Sequence, residues 1–532
     1  MPDELTGKPK FDQRLREALV ELLENAHSLD LVQALAPKER EAVLSHARLL
    51  GWQAPIALVT AHEAADLVCR GHSQAFEALV TLTQFCYGNA TLPDFCQLHD
   101  ALRSSVLHPK VNAAVETMAA AAPQARLRDQ ARDTGRMAFV VSSLIRGSGT
   151  TYVIRALIPA LAAMGWEMAI YPTLLLDATD EEVAEELRAA GVTIHRPPAA
   201  SENPLPIAAW IADHLQAHPV DAVVHYVWPN DYVSKLVGNW RCAPVQVFVN
   251  HTCDQPTGNF DLKLGYSGDY RGHHQADRYV TMPNCSVRAS QARKAQPFSR
   301  QQWKLPADAL LLATFSRLAK CVDAPFLEAM CSVLRANPSV IWLLVGERDP
   351  SSEVQINAHL ERAGVQSQVA YTGFMYDMDY FRLLKTVDLY CDTITWMGGQ
   401  TVADAVVCGL PVVCCAPAAS AALAPHANNS TVLASALLAP DSLVAQAGDA
   451  QDYARLAQAY IDDADLRARA GQLNAASVQG DAWEAYVRRF DEEIRSAYQR
   501  KKAAQSPAAP SGEGRSDIDT LKALFPAAAH AF

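Results

Sequence analysis

The feature that most constrains the fold is a repeated alternation between short apolar runs and helix-forming segments. The apolar runs are rich in β-branched and small apolar residues, as at 137–141, 166–171 and 310–314. Runs of this kind are typical of parallel strands that helices cover on both faces. The alternation therefore predicts α/β architecture with doubly wound parallel sheets.

The alternation occurs in two blocks, which predicts two Rossmann-like domains that face a cleft, preceded by an all-α N-terminal domain. Before residue 125 the apolar spacing is helical, as at 11–26 and 74–85. We expect six segments: an all-helical accessory domain (1–125), a linker (126–135), two Rossmann-like domains (136–295 and 296–480), a C-terminal helix (481–502) and a disordered tail (503–532).

Composition narrows the range of partners and compartments. The chain has 532 residues and a formal net charge of -12, which argues against a nucleic-acid or anionic-membrane surface. The N-terminus lacks an apolar signal region, and no apolar run approaches the length that spans a bilayer. The 12 cysteines show no disulfide framework. We therefore expect a cytoplasmic protein with reduced cysteines, no membrane span and no nucleic-acid partner.

A glycine turn separates two predicted strands at 387–391 and 411–415. It opens a short helix, and the free N–H groups and positive dipole end of a helix N-terminus suit a diphosphate. The two glycines let the backbone approach a phosphate, the next two side chains can donate hydrogen bonds, and an acid one turn on can bridge ribose hydroxyls. A structural turn with Thr401 as N-cap is the competing interpretation. The residues are Gly398, Gly399, Gln400, Thr401 and Asp404.

Two cations follow the first strand of the second block. Arg317 and Lys320 lie in the loop at 315–320, where the carboxyl end of a strand meets the predicted cleft. Arginine can clasp phosphate oxygens bidentately, and lysine supplies a point charge. Two solvated surface cations are the alternative interpretation.

A glycine loop follows the first strand of the first block, but it does not complete a dinucleotide fingerprint. Tyr152 occupies the third glycine position, and the next strand ends on Tyr171 where an acid is required. NAD binding is therefore disfavoured. We expect the loop either to open onto the cleft, contacting acceptor or donor phosphate, or to form a tight structural turn. The loop residues are Gly147, Ser148, Gly149 and Thr150.

Histidines near two strand ends are candidates for a general base. His225 ends a predicted strand at 222–225, while His251 and Asp254 follow the next strand at 245–249. Histidine is the usual proton acceptor near neutral pH, although a lone histidine at a strand end is often structural. The histidine pair within 269–277 does not follow zinc-ligand spacing, so we expect no metal site.

Several spaced motifs keep a common order. The second block contains Asp392-Thr393, residues 398–401, Asp404 and Gly409-Leu410-Pro411, preceded by matching segments at 298–300, 305–309, 315–320 and 338–344. Together they resemble the donor-site signature of O-GlcNAc transferases and the related bacterial adhesin N-glucosyltransferases. With a further segment at 243–247, the resemblance covers roughly residues 137–500.

The resemblance implies an inverting GT-B glycosyltransferase. Its donor would be a UDP-sugar carrying a hexose or N-acetylhexosamine, its expected acceptor is a protein side chain, and it would need no metal or other cofactor. Lys320 would contact the diphosphate and stabilise the leaving group, and Arg317 takes the place of a donor-binding glutamine. Main-chain groups around Met375 would hold uracil, residues 399–401 the phosphates and Asp404 the ribose.

The sequence also departs from the family. Gly399 stands where relatives have histidine, and the loop at 146–151 lacks the histidine that relatives carry near the acceptor. The identities of the donor sugar, the acceptor and the base therefore stay open. Three alternative functions also remain: a retaining transferase, an epimerase and a catalytically inactive scaffold. The retaining enzymes carry two glutamates eight residues apart, where this chain has Trp396 and Asp404. The accessory domain is expected to present a polypeptide or to mediate homo-oligomer assembly.

Overall fold

A computed structural model of the chain defines the fold. The structure describes residues 61, 64–88, 107–122, 133–173, 179–197, 204–228, 231–250, 257–266, 279–283, 285–301, 303, 306, 308–394, 399–415, 449–477 and 482–505. The predicted helix at 11–26, most of the predicted tail, and the candidate residues Gly398, His251 and Asp254 lie outside these residues.

The first unit is built on a seven-stranded parallel sheet with strand order β3-β2-β1-β4-β5-β6-β7. Its order reverses between β1 and β4, where the loops after these two strands diverge and open a crevice. The strands are β1 (Arg136–Val141), β2 (Glu167–Pro172), β3 (Thr193–Ile194), β4 (Ala222–Tyr226), β5 (Val245–Asn250), β6 (Leu262–Tyr266) and β7 (Val280–Met282).

Helices cover both faces of this sheet, and two further helices precede it. The preceding helices are α1 (Ala75–Gly88) and α2 (Leu107–Ala121), and those within the unit are α3 (Gly149–Ala163), α4 (Glu181–Ala189), α5 (Pro204–Ala217) and α6 (Tyr232–Trp240). Aspartates begin two of them: Asp180 accepts from the Glu182 N–H (3.0 Å) and Asp231 from the Ser234 N–H (2.9 Å). These side chains satisfy backbone donors that have no partner inside the helix.

The two preceding helices share a hydrophobic core with the first unit. The Tyr232 hydroxyl of α6 donates to Thr83 Oγ1 of α1 (2.7 Å), and the Trp240 indole donates to the Ala119 carbonyl of α2 (2.9 Å). Phe76 also meets Tyr232 edge to face. The described accessory helices are therefore fixed to the first unit by packing as well as by hydrogen bonds.

The second unit is a five-stranded parallel sheet with order β10-β9-β8-β11-β12. Its strands are β8 (Leu310–Phe315), β9 (Val340–Val345), β10 (Val369–Gly373), β11 (Leu389–Cys391) and β12 (Val412–Val413). Its helices are α7 (Ala289–Lys294), α8 (Ala324–Ala336), α9 (Pro350–Ala363), α10 (Asp377–Leu384), α11 (Gln400–Val407), α12 (Ala450–Asp462) and α13 (Ala464–Ser477), with 3₁₀ turns at Leu318–Val322 and Gln366–Gln368. The predicted α/β architecture with two doubly wound sheets is confirmed.

The last described helix, α14 (Ala482–Gln505), returns to the first unit. Phe490 stacks on Phe139 of β1 with ring centroids 6.3 Å apart, and Asp491 accepts from the Trp166 indole (2.6 Å). The chain therefore passes between the units twice. Among the residues that the structure describes, no helix has both the length and the apolar character needed to cross a bilayer.

Candidate active site

Lys320 lies at the switch point of the second sheet. It is carried by the 3₁₀ turn that follows β8, while Asp392 directly follows β11. Because β8 and β11 are neighbours where the strand order reverses, the two side chains come together, and the Asp392 carboxylate favours the protonated amine. A fixed cation is thereby placed where ligands of open α/β sheets bind.

The amine of Lys320 titrates unusually low for a lysine. Burial lowers its pKa to about 8, and the neighbouring Arg317 guanidinium adds to this effect, while Asp392 and Cys321 oppose it. Its side chain is only half-buried, so solvent still reaches the loop that carries it. The amine is mostly protonated at neutral pH, and a bound anion would favour that form further.

A glycine that the sequence analysis did not select fixes the Lys320 turn. Gly346 follows β9, and a Cβ atom at this position would lie 1.9 Å from the Ser316 carbonyl oxygen. Ser316 in turn donates its N–H to the Val345 carbonyl (2.9 Å), and the Gly346 N–H donates to Gly373 (3.2 Å). Only glycine allows the loops after β8 and β9 to approach this closely. The available signal was a glycine directly after a predicted buried strand.

The N-terminus of α11 has the predicted glycine turn. The N-cap is Gly399, with no side chain capping the helix, so the competing interpretation of Thr401 as N-cap is wrong. The Thr401 hydroxyl accepts from the buried Tyr390 hydroxyl (3.0 Å) and keeps its own proton for another acceptor. Gly399 and Thr401 thus lie at a helix end suited to an anion.

Gln400 and Asp404 are already engaged in this structure. They face the linker between β7 and α7, where Gln400 accepts from the Val287 N–H (3.3 Å) and donates to the Cys285 carbonyl (3.4 Å). Asp404 is fully buried and accepts from the Ser286 hydroxyl (2.6 Å) and from the Arg288 guanidinium. The phosphate and ribose contacts expected of these two residues stay predictions.

Arg317 and Met375 border the same cleft. Arg317 is exposed and precedes the 3₁₀ turn that carries Lys320. Met375 follows β10, and its half-buried side chain packs against the core of the second unit. Gly373, two residues before it, accepts from the Gly346 N–H (3.2 Å), so this segment lies next to the loop after β9, and the uracil contact stays a prediction. In the part of the chain that the structure describes, no group of three metal-ligand side chains is arranged to hold a metal ion.

The expected position of His225 at the cleft edge needs correction. Its side chain is fully buried, its Nδ1 lies 2.7 Å from Ser234 Oγ of α6, and Phe260 packs edge-on against the ring. Burial lowers its pKa to about 3. The residue lies inside β4, where alternate side chains face the covering helices rather than the strand end. This burial disfavours a role as the base.

The glycine loop of the first unit touches the second unit. Gly147 has φ of +130°, and a Cβ there would meet the Phe374 ring at 2.7 Å. Ser148 is the N-cap of α3, which begins at Gly149, and its hydroxyl lies 2.8 Å from Thr150 Oγ1. The interpretation as a tight structural turn therefore describes Gly147, while contact of the loop with acceptor or donor phosphate stays a prediction.

Ion pairs reinforce this contact between the units. Arg146 pairs with Asp377 at 3.1 Å, and its guanidinium lies 4.8 Å from the centre of the Tyr376 ring. Arg155 of α3 approaches the same carboxylate at 3.7 Å. Asp377 itself has a positive φ of 45°, which is uncommon for a residue with a side chain. The cleft is thus bounded at this side by a charged and aromatic contact.

A polar network that was not predicted from the sequence lies at the carboxyl edge of the first sheet. Buried Asp231 accepts from the hydroxyls of Ser142 (2.7 Å) and Thr173 (2.8 Å), and burial raises its pKa. The Ser142 hydroxyl accepts from the Trp228 N–H (2.8 Å), and the Trp228 indole donates to Thr150 (3.4 Å). The network fixes a partly exposed indole beside the glycine loop. Its signal was an aspartate at a helix start just after a predicted strand.

Residues 280–480 match the sequence model of Glycosyl transferase family 41. This range begins at β7 and ends before α14, so it covers the second unit and the linker that leads into it. No functionally curated protein sequence matches the chain.

Solved structures resemble the chain over most of their own length. A point mutant of O-GlcNAc transferase from Thermobaculum terrenum has a TM-score of 0.55 at 16% identity, covering 94% of this chain and 100% of that one. HepE from Anabaena in complex with UDP-glucose has 0.52 at 16%, covering 69% and 99%. Sucrose-phosphate synthase from Thermosynechococcus elongatus has 0.54 at 15%, covering 69% and 100%. The predicted GT-B fold and the resemblance to O-GlcNAc transferases are confirmed.

Proposed function

Taking the chain as a glycosyltransferase of the GT-B fold, we propose that it transfers a hexose or N-acetylhexosamine from a UDP-sugar to a protein side chain, with inversion. The match to Glycosyl transferase family 41 spans the unit that would bind the donor. The O-GlcNAc transferase resembles this chain over nearly its whole length, and HepE was solved with UDP-glucose. These similarities support the sugar donor and the acceptor class.

The observation that carries this proposal is the position of Lys320 beside Asp392 at the switch point of the second sheet. When the sugar leaves UDP, negative charge develops on the diphosphate, and a fixed cation stabilises that charge more than it stabilises the ground state. The N-terminus of α11 supplies further N–H donors. Arg317 would clasp a phosphate oxygen from the exposed side of the same loop. Together, Lys320, Arg317 and the N-terminus of α11 would stabilise the diphosphate leaving group without a metal ion.

The uridine half of the donor would bind along the same edge. Backbone groups around Met375 would hold the uracil, Gly398, Gly399, Gln400 and Thr401 the phosphates, and Asp404 the ribose hydroxyls. In-line attack then requires a base on the side of the first unit, and His251 with Asp254 follows β5, beside β4. We assign the base to this segment because His225 is enclosed in the sheet.

The test is a panel of UDP- and GDP-sugars, followed by calorimetry for binding and by release of free nucleotide for hydrolysis. We expect a UDP-sugar to bind and the variant Lys320→Ala to weaken this binding. The matched control is Lys294→Ala, because Lys294 is an exposed lysine on α7 in the same unit. If no nucleotide sugar binds, the enzyme proposal fails. If Lys320→Ala binds normally, the assigned site is wrong.

Two further measurements test stereochemistry and acceptor. Proton NMR of the first product gives its anomeric configuration, and a retained configuration would favour the retaining alternative. Intact-mass analysis of candidate proteins co-expressed with the enzyme would detect a hexose or N-acetylhexosamine addition. Turnover of glycans or lipid-linked sugars, with no protein modified, would exclude the protein acceptor.

A further inference from the structure

The linker between the two units packs against α11, the helix that follows the glycine turn. Residues 285–288 bond to Gln400 and Asp404, which are one turn apart on α11. The Ser286 hydroxyl donates to one carboxylate oxygen of Asp404, Oδ1, and Arg288 donates to the other, Oδ2. Both oxygens of a carboxylate assigned to ribose are therefore held by the linker.

Arg288 is enclosed by aromatic rings from both units. Its side chain is 8% exposed, and its guanidinium lies 4.0 Å from the ring centre of Tyr152 on α3, 4.5 Å from Tyr380 and 5.0 Å from Phe381 on α10. Its Nε and Nη1 atoms have no hydrogen-bond partner among the described residues. Ring faces attract a guanidinium electrostatically, so the cation is held by these rings and by Asp404.

Burying a carboxylate is costly unless hydrogen bonds and an opposite charge compensate it. The Arg288 guanidinium is the cation that contacts Asp404, and its planar fork fixes the direction in which the carboxylate points. Ribose hydroxyls are donors, and a carboxylate oxygen accepts a hydrogen bond well only when it points toward the donor. The orientation of Asp404 that suits ribose thus depends on Arg288.

We propose that Arg288 is a positioning residue for the ribose of the donor. It holds and orients Asp404 through Oδ2, while Oδ1 passes from the Ser286 hydroxyl to a ribose hydroxyl when nucleotide binds. In the free protein the Ser286 hydroxyl thus makes the hydrogen bond that a ribose hydroxyl makes in the complex. The linker shifts when the ribose displaces Ser286. This inference rests on the proposed function, because it requires a nucleotide that carries ribose.

The experiment compares UDP with 2′,3′-dideoxy-UDP, which lacks both ribose hydroxyls, by calorimetry on the full chain. A hydrogen bond to a charged group corresponds to roughly tenfold or more in affinity, so we expect wild-type protein to prefer UDP by about that factor. Arg288→Lys should bring this preference to within about threefold while leaving the affinity for the dideoxy nucleotide nearly unchanged, because only the ribose contact is lost.

The matched control is Arg382→Lys. Arg382 also lies over an aromatic ring, Phe298 at 4.0 Å, and also pairs with an aspartate, Asp379 at 3.2 Å, but it is on the exposed side of α10. We expect this variant to keep the wild-type preference for UDP. Equal weakening of both nucleotides in Arg288→Lys would overturn the inference, since a merely structural role predicts that result. An unchanged preference would overturn it as well.

A second variant acts in the opposite direction and keeps both charged side chains of the buried ion pair, although it removes the acceptor of the Arg288 N–H (3.2 Å). Ser286→Ala removes the hydroxyl that the ribose must displace, so UDP should bind about threefold tighter while dideoxy-UDP binds as before. Weaker UDP binding in Ser286→Ala would contradict the exchange. Wild-type protein that binds neither nucleotide refutes the proposed function. Wild-type protein that binds both nucleotides equally refutes only the role of Arg288.

Discussion

The carboxyl edges of the two sheets differ in how deeply they bury the candidate chemical groups. On the second sheet, Lys320 lies in a turn beyond the strand, stays half-buried and lies near the Asp392 carboxylate, which favours its protonated form. On the first sheet, His225 and Asp231 are both fully enclosed. Lys320 therefore reaches solvent from the turn after its strand, whereas Asp231, at the start of α6, is enclosed by its own hydrogen bonds. His225 lies inside β4 and faces the covering helix α6.

The largest expected effect is the difference in activity between a variant at the second sheet edge and a variant at the first. Replacing Lys320 with alanine should lower the rate of sugar release from a UDP-sugar by about 10²- to 10³-fold, since the developing diphosphate charge loses its fixed cation. His225→Gln should leave the same rate within about threefold, because the imidazole is enclosed. Initial rates of nucleotide release measure both. If the two variants lost activity equally, the distinction between the edges would be wrong.

A somewhat smaller effect is expected from the loop that supports Lys320. Gly346→Ala places a methyl group against the Ser316 carbonyl, so the turn must shift, and UDP should bind about tenfold more weakly. Gly471→Ala is the matched control, since its Cβ would meet the Gly409 carbonyl at 2.2 Å, at the far end of α11. Both variants should lose stability in thermal unfolding. UDP affinity should fall in Gly346→Ala and stay unchanged in Gly471→Ala.

The pH dependence of nucleotide binding tests the charge on Lys320. Its pKa of about 8 in the free protein means that the protonated amine is lost as pH rises through that value. UDP affinity should therefore be nearly constant between pH 6.5 and 7.5 and then fall by up to about tenfold per pH unit above 8. Lys320→Arg should bind UDP without this decline, because a guanidinium stays charged. A decline that persists in Lys320→Arg would assign the titration elsewhere.

The smallest effect concerns stability rather than catalysis. Since burial holds the pKa of His225 near 3 in the folded chain, unfolding in weak acid lets the imidazole take up a proton. His225 therefore lowers the free energy of unfolding as pH falls from 6.5, the usual pKa of histidine, toward 3. His225→Gln should lose less stability over that pH range. Chemical denaturation at pH 7 and pH 5 measures the difference. Parallel losses in both proteins would show that His225 is not the group responsible.

The sequence predicted the α/β architecture and the positions of Lys320 and Gly399, because both depend on local order along the chain. A strand followed by a loop places that loop at the carboxyl edge, and a glycine turn before a helix predicts its N-terminus. It could not predict the surroundings of Gln400 and Asp404. Their partners lie more than 110 residues away, and no local pattern encodes which linker a helix will face.

The same limit explains the misplacement of His225. Its position near the end of a strand was correct, but the face on which it lies depends on α6 and on Phe260, which follows β5. Gly346 and Asp231 were missed for a related reason, because each acts on a loop that is remote in sequence. Their local signals, a glycine after a strand and an aspartate before a helix, are common enough to pass unnoticed.

The return of α14 to the first unit has a consequence for engineering. Phe490 lies in the core of the first unit and Asp491 bonds to the Trp166 indole, although both follow the second unit in sequence. The second unit is therefore an insertion between two parts of the first unit. A graft intended to exchange donor specificity should therefore replace residues 289–477 and keep the native α14. A chimera that carries a foreign α14 would place an unmatched helix against β1, and its first unit would lose stability while its second unit stayed intact.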